Sequence, residues 1–445
     1  MADRRGGGDG VVIDRYVRQY EALAANGGGR APDWLKSLRR AAIDGFRETG
    51  FPSGRDEEWR FTSVAPIVRT DFGPAAGGGA VVAADLQPFL FGHDEWPRMV
   101  FVDGRYRADL SSPAAAAGLQ VSTLAEALAA DPKGLETEFG RHVVPDATPF
   151  TALNTALAPD GVVIRAARGT VFAQPIHLLF VASREAEGAA FHPRVLVLVE
   201  REARIQLVES YVSLGDRARY LTNTVCEIAM GEGSWVEHSR IQRESEGGYH
   251  IGFTQVSQAR DSHYRSFSLA MGGAIVRHNL HTRLNAPNTE ALLYGLYLGR
   301  GDQLIDNHTT IFHDQPNCRS WEVYKGILDD RSHGVFNGKI FVKPEAQKTD
   351  AKQTNRALLL SDAAKIDTKP QLEIFADDVK CTHGATVGNL DLLSGFYLRS
   401  RGIPDAVARR VLTYAFAAEV LDEISAVPVR SALDRLVRDR LGVGS

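Results

Sequence analysis

Glu202-Ala-Arg-Ile-Gln-Leu207, Gly233-Ser-Trp-Val-Glu-His238, Asp261-Ser-His-Tyr-Arg-Ser266 and Asn288-Thr-Glu-Ala-Leu-Leu293 each join a turn residue to an alternating segment, and their starts lie 31, 28 and 27 residues apart. Around them, from about residue 150 to 388, short runs rich in Val, Ile, Leu, Tyr and Thr are interrupted roughly every 8 to 12 residues by Gly, Asn, Asp or Pro. One repeat of this kind holds two or three short strands and cannot close its own core. The loose period therefore predicts a β-solenoid in which each coil stacks on the next. A sandwich is the rival reading, although a sandwich domain closes in about 100 residues and no midpoint linker divides this stretch.

Outward from the repeat the period becomes helical. Ile13, Tyr16, Val17, Tyr20 and Leu23 share one face, and beyond Gly27-Gly28-Gly29 so do Leu35, Leu38, Ala42 and Phe46. A loop-rich stretch follows, holding Glu58-Trp59-Arg60-Phe61, the low-complexity run 75–79, a short apolar strand at Met99 to Val102 and an alanine-rich helix near Leu124 to Ala130. After Gly388, Gly402-Ile-Pro-Asp405 starts a helix whose stripe runs through Val407, Val411, Leu412, Ala415, Phe416, Val420 and Ile424. Pro428 divides it from a second stripe at Val429, Leu433, Leu436, Val437 and Leu441. The expected organisation is a mostly helical domain at 1–148, the β region at 149–388 and a C-terminal helical domain at 389–445.

The chain has 445 residues, 44% of them hydrophobic, enough for a large core. Its net charge of -4 offers no basic field for a polyanion, which sets aside nucleic acid and anionic membranes as partners. The N-terminus lacks the apolar segment of a signal peptide, and no run approaches the ~20 apolar residues of a membrane span. A cytosolic protein is expected. Cys226, Cys318 and Cys381 are far apart and odd in number, which suits free thiols in a reducing compartment.

Several chemistries fail on their motifs. Gly334-Val-Phe-Asn-Gly338-Lys339-Ile340 is one residue short of a phosphate loop and has Ile where Ser or Thr must hold magnesium. Neither a dinucleotide fingerprint opening a helix nor a Gly-x-Ser-x-Gly elbow is present. Carbohydrate-active β-helix enzymes place acid and base on one sheet, and Asp350, Asp362, Asp367, Asp377 and Asp378 are available. These sit in or beside turns, however, where Asp bonds its own backbone. His278 and His281 point to opposite faces of a strand and read as exposed polar residues. His308, after Asp306-Asn307, reads as part of a solvated turn or a side-chain ladder. Cys226 reads as a small buried hydrophobe and Cys318 as a turn residue.

Cys381-Thr382-His383 differs. On an extended strand an i, i+2 pair projects from one face, bringing a thiol and an imidazole within reach of one metal centre. Two ligands leave a zinc ion or a cluster short of its usual four. A complete site would draw the remainder from elsewhere, another subunit included.

The run from Gly334 to Asp350, then Leu358-Leu-Leu-Ser-Asp362, Lys369-Pro-Gln-Leu-Glu-Ile-Phe-Ala-Asp-Asp378 and Val379-Lys-Cys-Thr-His-Gly-Ala-Thr-Val-Gly388, closely resembles the SufD family. The likeness continues through Phe396-Tyr-Leu-Arg-Ser-Arg-Gly402 and Tyr414-Ala-Phe-Ala-Ala-Glu419, and Glu58-Trp59-Arg60-Phe61 is similar to its N-terminal motif. The resemblance implies a right-handed parallel β-helix flanked by N-terminal and C-terminal helical domains, which favours the solenoid. It further implies a non-catalytic scaffold for iron-sulfur cluster assembly, with a SufB-like subunit and a SufC-like ABC-type ATPase as partners. A SufB-like paralogue is the alternative family reading. The transient iron-sulfur cluster would form where the two β-helix subunits meet, with Cys381 and His383 supplying this chain's ligands. Tyr414, Phe416, Glu419 and Val420 form the expected ATPase seat, and the isolated chain could pair with a second copy of itself.

Overall fold

The structure, a computed structural model, describes residues 7–26, 31–75, 79–112, 114–143 and 148–443. The Gly27-Gly28-Gly29 break and residues 76–78 of the low-complexity run lie outside them. Successive strands of the β region alternate between two walls. One wall includes Leu221–Met230, Tyr249–Gln258, Ile275–Leu284, Leu304–His313, His333–Val342 and Lys365–Ile374. The other includes Arg204–Ser213, Trp235–Arg243, His263–Ala270, Glu290–Gly299, Arg319–Leu328, Asp350–Leu359 and Lys380–Gly388. Each of these strands except the last of each wall pairs in parallel with the strand two places on, so the chain climbs one coil per pair of strands. The molecule is a β-solenoid, not a sandwich.

From Arg204–Ser213 to Lys380–Gly388 the register of the second wall repeats without slippage. In the second wall Arg204, Trp235, His263, Glu290, Arg319, Asp350 and Lys380 form a single column. The turn residues that open the four quoted segments set this spacing. Glu202, Gly233, Asp261 and Asn288 all have left-handed backbone, with φ of 60, 65, 57 and 62°, and Asn317 and Lys348 continue the row at 60 and 61°. Each turns its amide onto the next coil: Glu202 N–H donates to Glu232 O at 2.8 Å, Gly233 N–H to Arg260 O at 2.9 Å and Asn317 N–H to Gln347 O at 2.9 Å. Gly, Asn and Asp adopt this conformation at the least cost, which is why the period is visible in the sequence.

Sheet structure begins well upstream of residue 149. Arg98–Val102 joins the second wall in parallel and carries an antiparallel partner, Arg105–Tyr106. Leu119–Thr123 joins the first wall antiparallel, with Ala115–Ala116 beyond it. These reversed strands finish the N-terminal end of the tube. Helices Asp33–Thr49 and Pro149–Leu157 pack with the first helix, Gly7–Asn26, through Tyr16, Phe46, Leu153 and Ala156. At the other end of the chain, Asp405–Leu421 and Val427–Leu441 lie on the outer face of the second wall, where Val420, Leu421, Val429 and Leu433 meet Ile241, Leu269, Leu296 and Ile327.

One buried ion pair ties the N-terminal region to the tube. The Glu227 carboxylate pairs with Arg194, both side chains being at most 1% exposed. It also accepts the backbone N–H groups of Gly140, His142 and Val143 at 3.1, 3.1 and 3.0 Å. Glu227→Ala strands the Arg194 charge and three amides at once. A loss of about 3–5 kcal/mol is expected, read as a lower urea midpoint, with early protease cleavage near residues 140–143.

Candidate metal centre

The two walls end together and end open. Lys365–Ile374 and Lys380–Gly388 are terminal in their sheets, each paired on one side only. Their inward-facing residues consequently lack a coil above them. Cys381 stands over Ala351 and His383 over Gln353, and Ala351 and Gln353 are buried inside the tube. Cys381 and His383 thus share the inward face of the last coil, as the i, i+2 spacing predicts. Cys381 is half-buried against the main core, whereas His383 is exposed. Burial first, and the Asp350 carboxylate second, push the Cys381 thiol up.

Below His383 in the same inward row lie Gln353 and Glu322. Gln353 Nε2 donates to Glu322 Oε2 at 2.8 Å, and burial pushes Glu322 up to about 7. Nothing in the spacing of these two residues singled them out, because each looks like an ordinary polar residue in an alternating strand. Among the described residues no group of three or more His, Cys, Asp or Glu is placed to hold a metal ion. Cys381 and His383 put a soft thiol and a borderline imidazole on one face, and two such side chains alone fall short of the usual four ligands of an iron site.

The other candidates fall elsewhere. His278 is 5% exposed and faces the interior, where its Nε2 lies 3.0 Å from Thr254 Oγ1. The expectation of an exposed residue is corrected there: burial, reinforced by Arg240, pushes its pKa well below the ordinary value. The interior at this level mixes polar and charged side chains with apolar ones such as Val276 and Leu280. Burial alone would raise Glu209, but His238, 3.4 Å away, outweighs it and holds the carboxyl at about 2. Cys226 faces this cluster with its thiol pushed up by burial and by Glu209, and Cys318 is buried with Thr289 Oγ1 at 3.1 Å.

His308 belongs to a strand and not to a solvated turn. It contacts Asp306 at 2.9 Å and Glu58 at 3.3 Å, while the Arg277 guanidinium lies 3.8 Å from the centre of the Trp59 ring. Glu58-Trp59 thus clamps the N-terminal segment onto the outer face of the first wall, leaving a groove of about 600 Å³ beside it. The aspartates do not converge. Asp350 lies on the second wall, and Asp367 on the first, bonded to His333 at 2.7 Å.

In the C-terminal hairpin Val420 is 1% exposed and sits in the core between helix and wall. That stripe is occupied from within the chain, so Val420 offers no surface to a partner. Phe416 is half-buried under the Lys325 ammonium, 4.6 Å from its ring centre, and Lys325 also bonds Phe416 O at 2.9 Å and pairs with Glu419. Tyr414 is half-buried and held by Asp434 and Arg438. Glu419 is exposed.

The fold is a β-solenoid closed by reversed strands at its N-terminal end and open at its C-terminal end, where Cys381 and His383 share one face. Residues 180–416 match the SUF system FeS cluster assembly, SufBD core domain, and residues 12–178 match the SufBD protein N-terminal region. The chain is 36% identical over 421 residues to an iron-sulfur cluster assembly SufBD family protein of Synechocystis, covering 91% of each chain. It is 32% identical over 415 residues to the iron-sulfur cluster assembly protein SufD of Escherichia coli, 93% of each. Against the chloroplastic protein ABCI7 of Arabidopsis thaliana the identity is 29% over 425 residues, 93% of this chain and 87% of the other. The chain belongs to the SufBD family of SUF-system iron-sulfur cluster assembly proteins and is SufD-like. No helix among the described residues is long and apolar enough to cross a membrane.

Glu322 makes stability depend on pH. Its carboxyl ionises near 4.5 when unfolded and near 7 when folded, so the folded chain holds the extra proton between those values. This contribution is fully present below about pH 4.5 and is lost as pH rises through about 7. At 1.36 kcal/mol per pKa unit it is on the order of 3 kcal/mol. Glu322→Gln is expected to flatten the fall in urea midpoint between about pH 5 and pH 8; an unchanged slope contradicts the assignment.

Proposed function

We propose that this chain is the scaffold half of a cytosolic cluster-assembly complex. Its open end pairs with a SufB-like subunit, its C-terminal hairpin docks a SufC-like ATPase, and the nascent iron-sulfur cluster, the cargo, forms at the junction. The observation that carries this reading is the pair of candidate donors on a strand with one free edge: Cys381 and His383 face one way on Lys380–Gly388, and no further ligand joins them among the described residues. The scaffold performs no turnover itself, since ATP hydrolysis is supplied by the partner.

Edge chemistry supports strand pairing at this end. Lys380 N–H bonds Thr349 O at 2.8 Å, so by alternation Cys381, His383, Ala385 and Val387 turn their N–H groups to the open edge. Lys365 N–H bonds Ser332 O at 3.0 Å, which by the same alternation puts Pro370 on the open edge of the first wall, where it offers no donor. The second wall is thus the receptive one. On and just after its last strand, Val387, Leu392, Leu393, Phe396 and Tyr397 are 45–83% exposed, an apolar surface suited to a partner. For the ATPase seat the exposed Glu419 and the half-buried Tyr414 and Phe416 remain available, without Val420.

In the full complex reconstituted anaerobically, His383→Ala is expected to abolish most cluster formation while the subunits still co-purify. Full cluster yield from a Cys381→Ala/His383→Ala double variant would sink the site. Ala385→Pro removes one edge N–H without touching the chain's own ladder. It is expected to weaken recovery of the SufB-like subunit by about tenfold, the worth of one or two interfacial hydrogen bonds, and undiminished recovery would refute edge pairing.

A further inference from the structure

The candidate ligand His383 stands at the top of an interior row, above Gln353 at the same register position. Leu293, Glu322, Gln353 and His383 occupy consecutive coils at one register position. Glu322 and Gln353 are 1% and 2% exposed. The Gln353 amide nitrogen donates to the Glu322 carboxylate at 2.8 Å, and that bond orients the amide group. Its carbonyl oxygen, Gln353 Oε1, is then buried with no hydrogen-bond partner. A buried acceptor in that state costs about 1–3 kcal/mol and calls for an explanation. Room for the amide comes from Gly338, where a Cβ would stand 2.1 Å from Gln353 Nε2.

A histidine that binds metal through one ring nitrogen usually donates its other ring N–H to a carbonyl or carboxylate. His383 is the register neighbour of Gln353 on the same face, and Gln353 Oε1 is the vacant acceptor below it. We propose that Gln353, braced by Glu322, is the positioning residue for His383: its side-chain carbonyl accepts the imidazole N–H and so fixes which ring nitrogen is offered to the cluster. Glu322 acts through Gln353 and not on His383. The metal consequence rests on reading His383 as a ligand, but the hydrogen bond is a property of this chain alone.

The test is the tautomer of His383 in the full, metal-free chain. With 15N-labelled histidine, the His383 signals are assigned by their loss in His383→Ala, and long-range proton-nitrogen spectra in mildly alkaline buffer report the tautomer ratio. Wild type is expected to show one dominant tautomer, and Gln353→Leu to shift the ratio by about fivefold, the factor of one net hydrogen bond. Glu322→Gln, which can still bond the Gln353 amide, should preserve the wild-type ratio, whereas Glu322→Leu should loosen it. Circular dichroism verifies folding, and Gln353→Met serves if the leucine variant fails to fold. The same ratio in wild type and in a folded Gln353 variant overturns the proposal. Should His383→Ala leave cluster yield intact while the tautomer shift persists, the ligand reading fails and the positioning contact stands.

Discussion

Everything in this molecule hangs on an in-register parallel ladder that never closes on itself. Each coil satisfies the backbone of its neighbours and leaves its own upper edge unsatisfied, so every level depends on the next being present. The left-handed turns at Glu202, Gly233, Asp261, Asn288, Asn317 and Lys348 hold that register by bonding coil to coil. A ladder of this kind needs an answer at both ends. At the N-terminal end the answer is internal, two reversed strands from residues 98–123. At the C-terminal end none comes from the described chain, and this is where Cys381 and His383 stand.

The same register makes a polar interior tolerable. Side chains one coil apart or on facing walls lie close enough to pair, as with Glu209 and His238 or Glu244 and His250. A charge in such a stack is held by geometry repeated above and below it. At the last coil the repetition stops. Gln353 is bonded downward to Glu322, and its carbonyl oxygen lies unpaired beneath the exposed His383, so the row is half-satisfied where the tube ends. The site arises from interrupting the fold and needs no pocket of its own.

Much of this was legible. Turn residues at Gly233, Asp261 and Asn288 disclosed the coil spacing because left-handed backbone selects for them, and strand alternation put Cys381 and His383 on one face. What stayed hidden was which face meets water. Both faces of the first wall are covered, so His278 and His308, polar residues in apolar runs, look exposed in sequence and are buried in structure. The stripe through Val420 showed that a helix buries one side but not that a β wall receives it. Glu322 and Gln353 lie 31 residues apart and acquire meaning only from the stacking. The family likeness supplied the function, since geometry alone defines half a ligand set.

Pro370 has a mechanical consequence. It occupies the open edge of one wall while the edge of the other, bearing Cys381 and His383, carries no proline. A strand added to the first wall would find one rung missing at Pro370, whereas a strand added to the second would find every rung present, so the two open edges offer unequal grip and the firmer seam would run along the strand that carries Cys381 and His383.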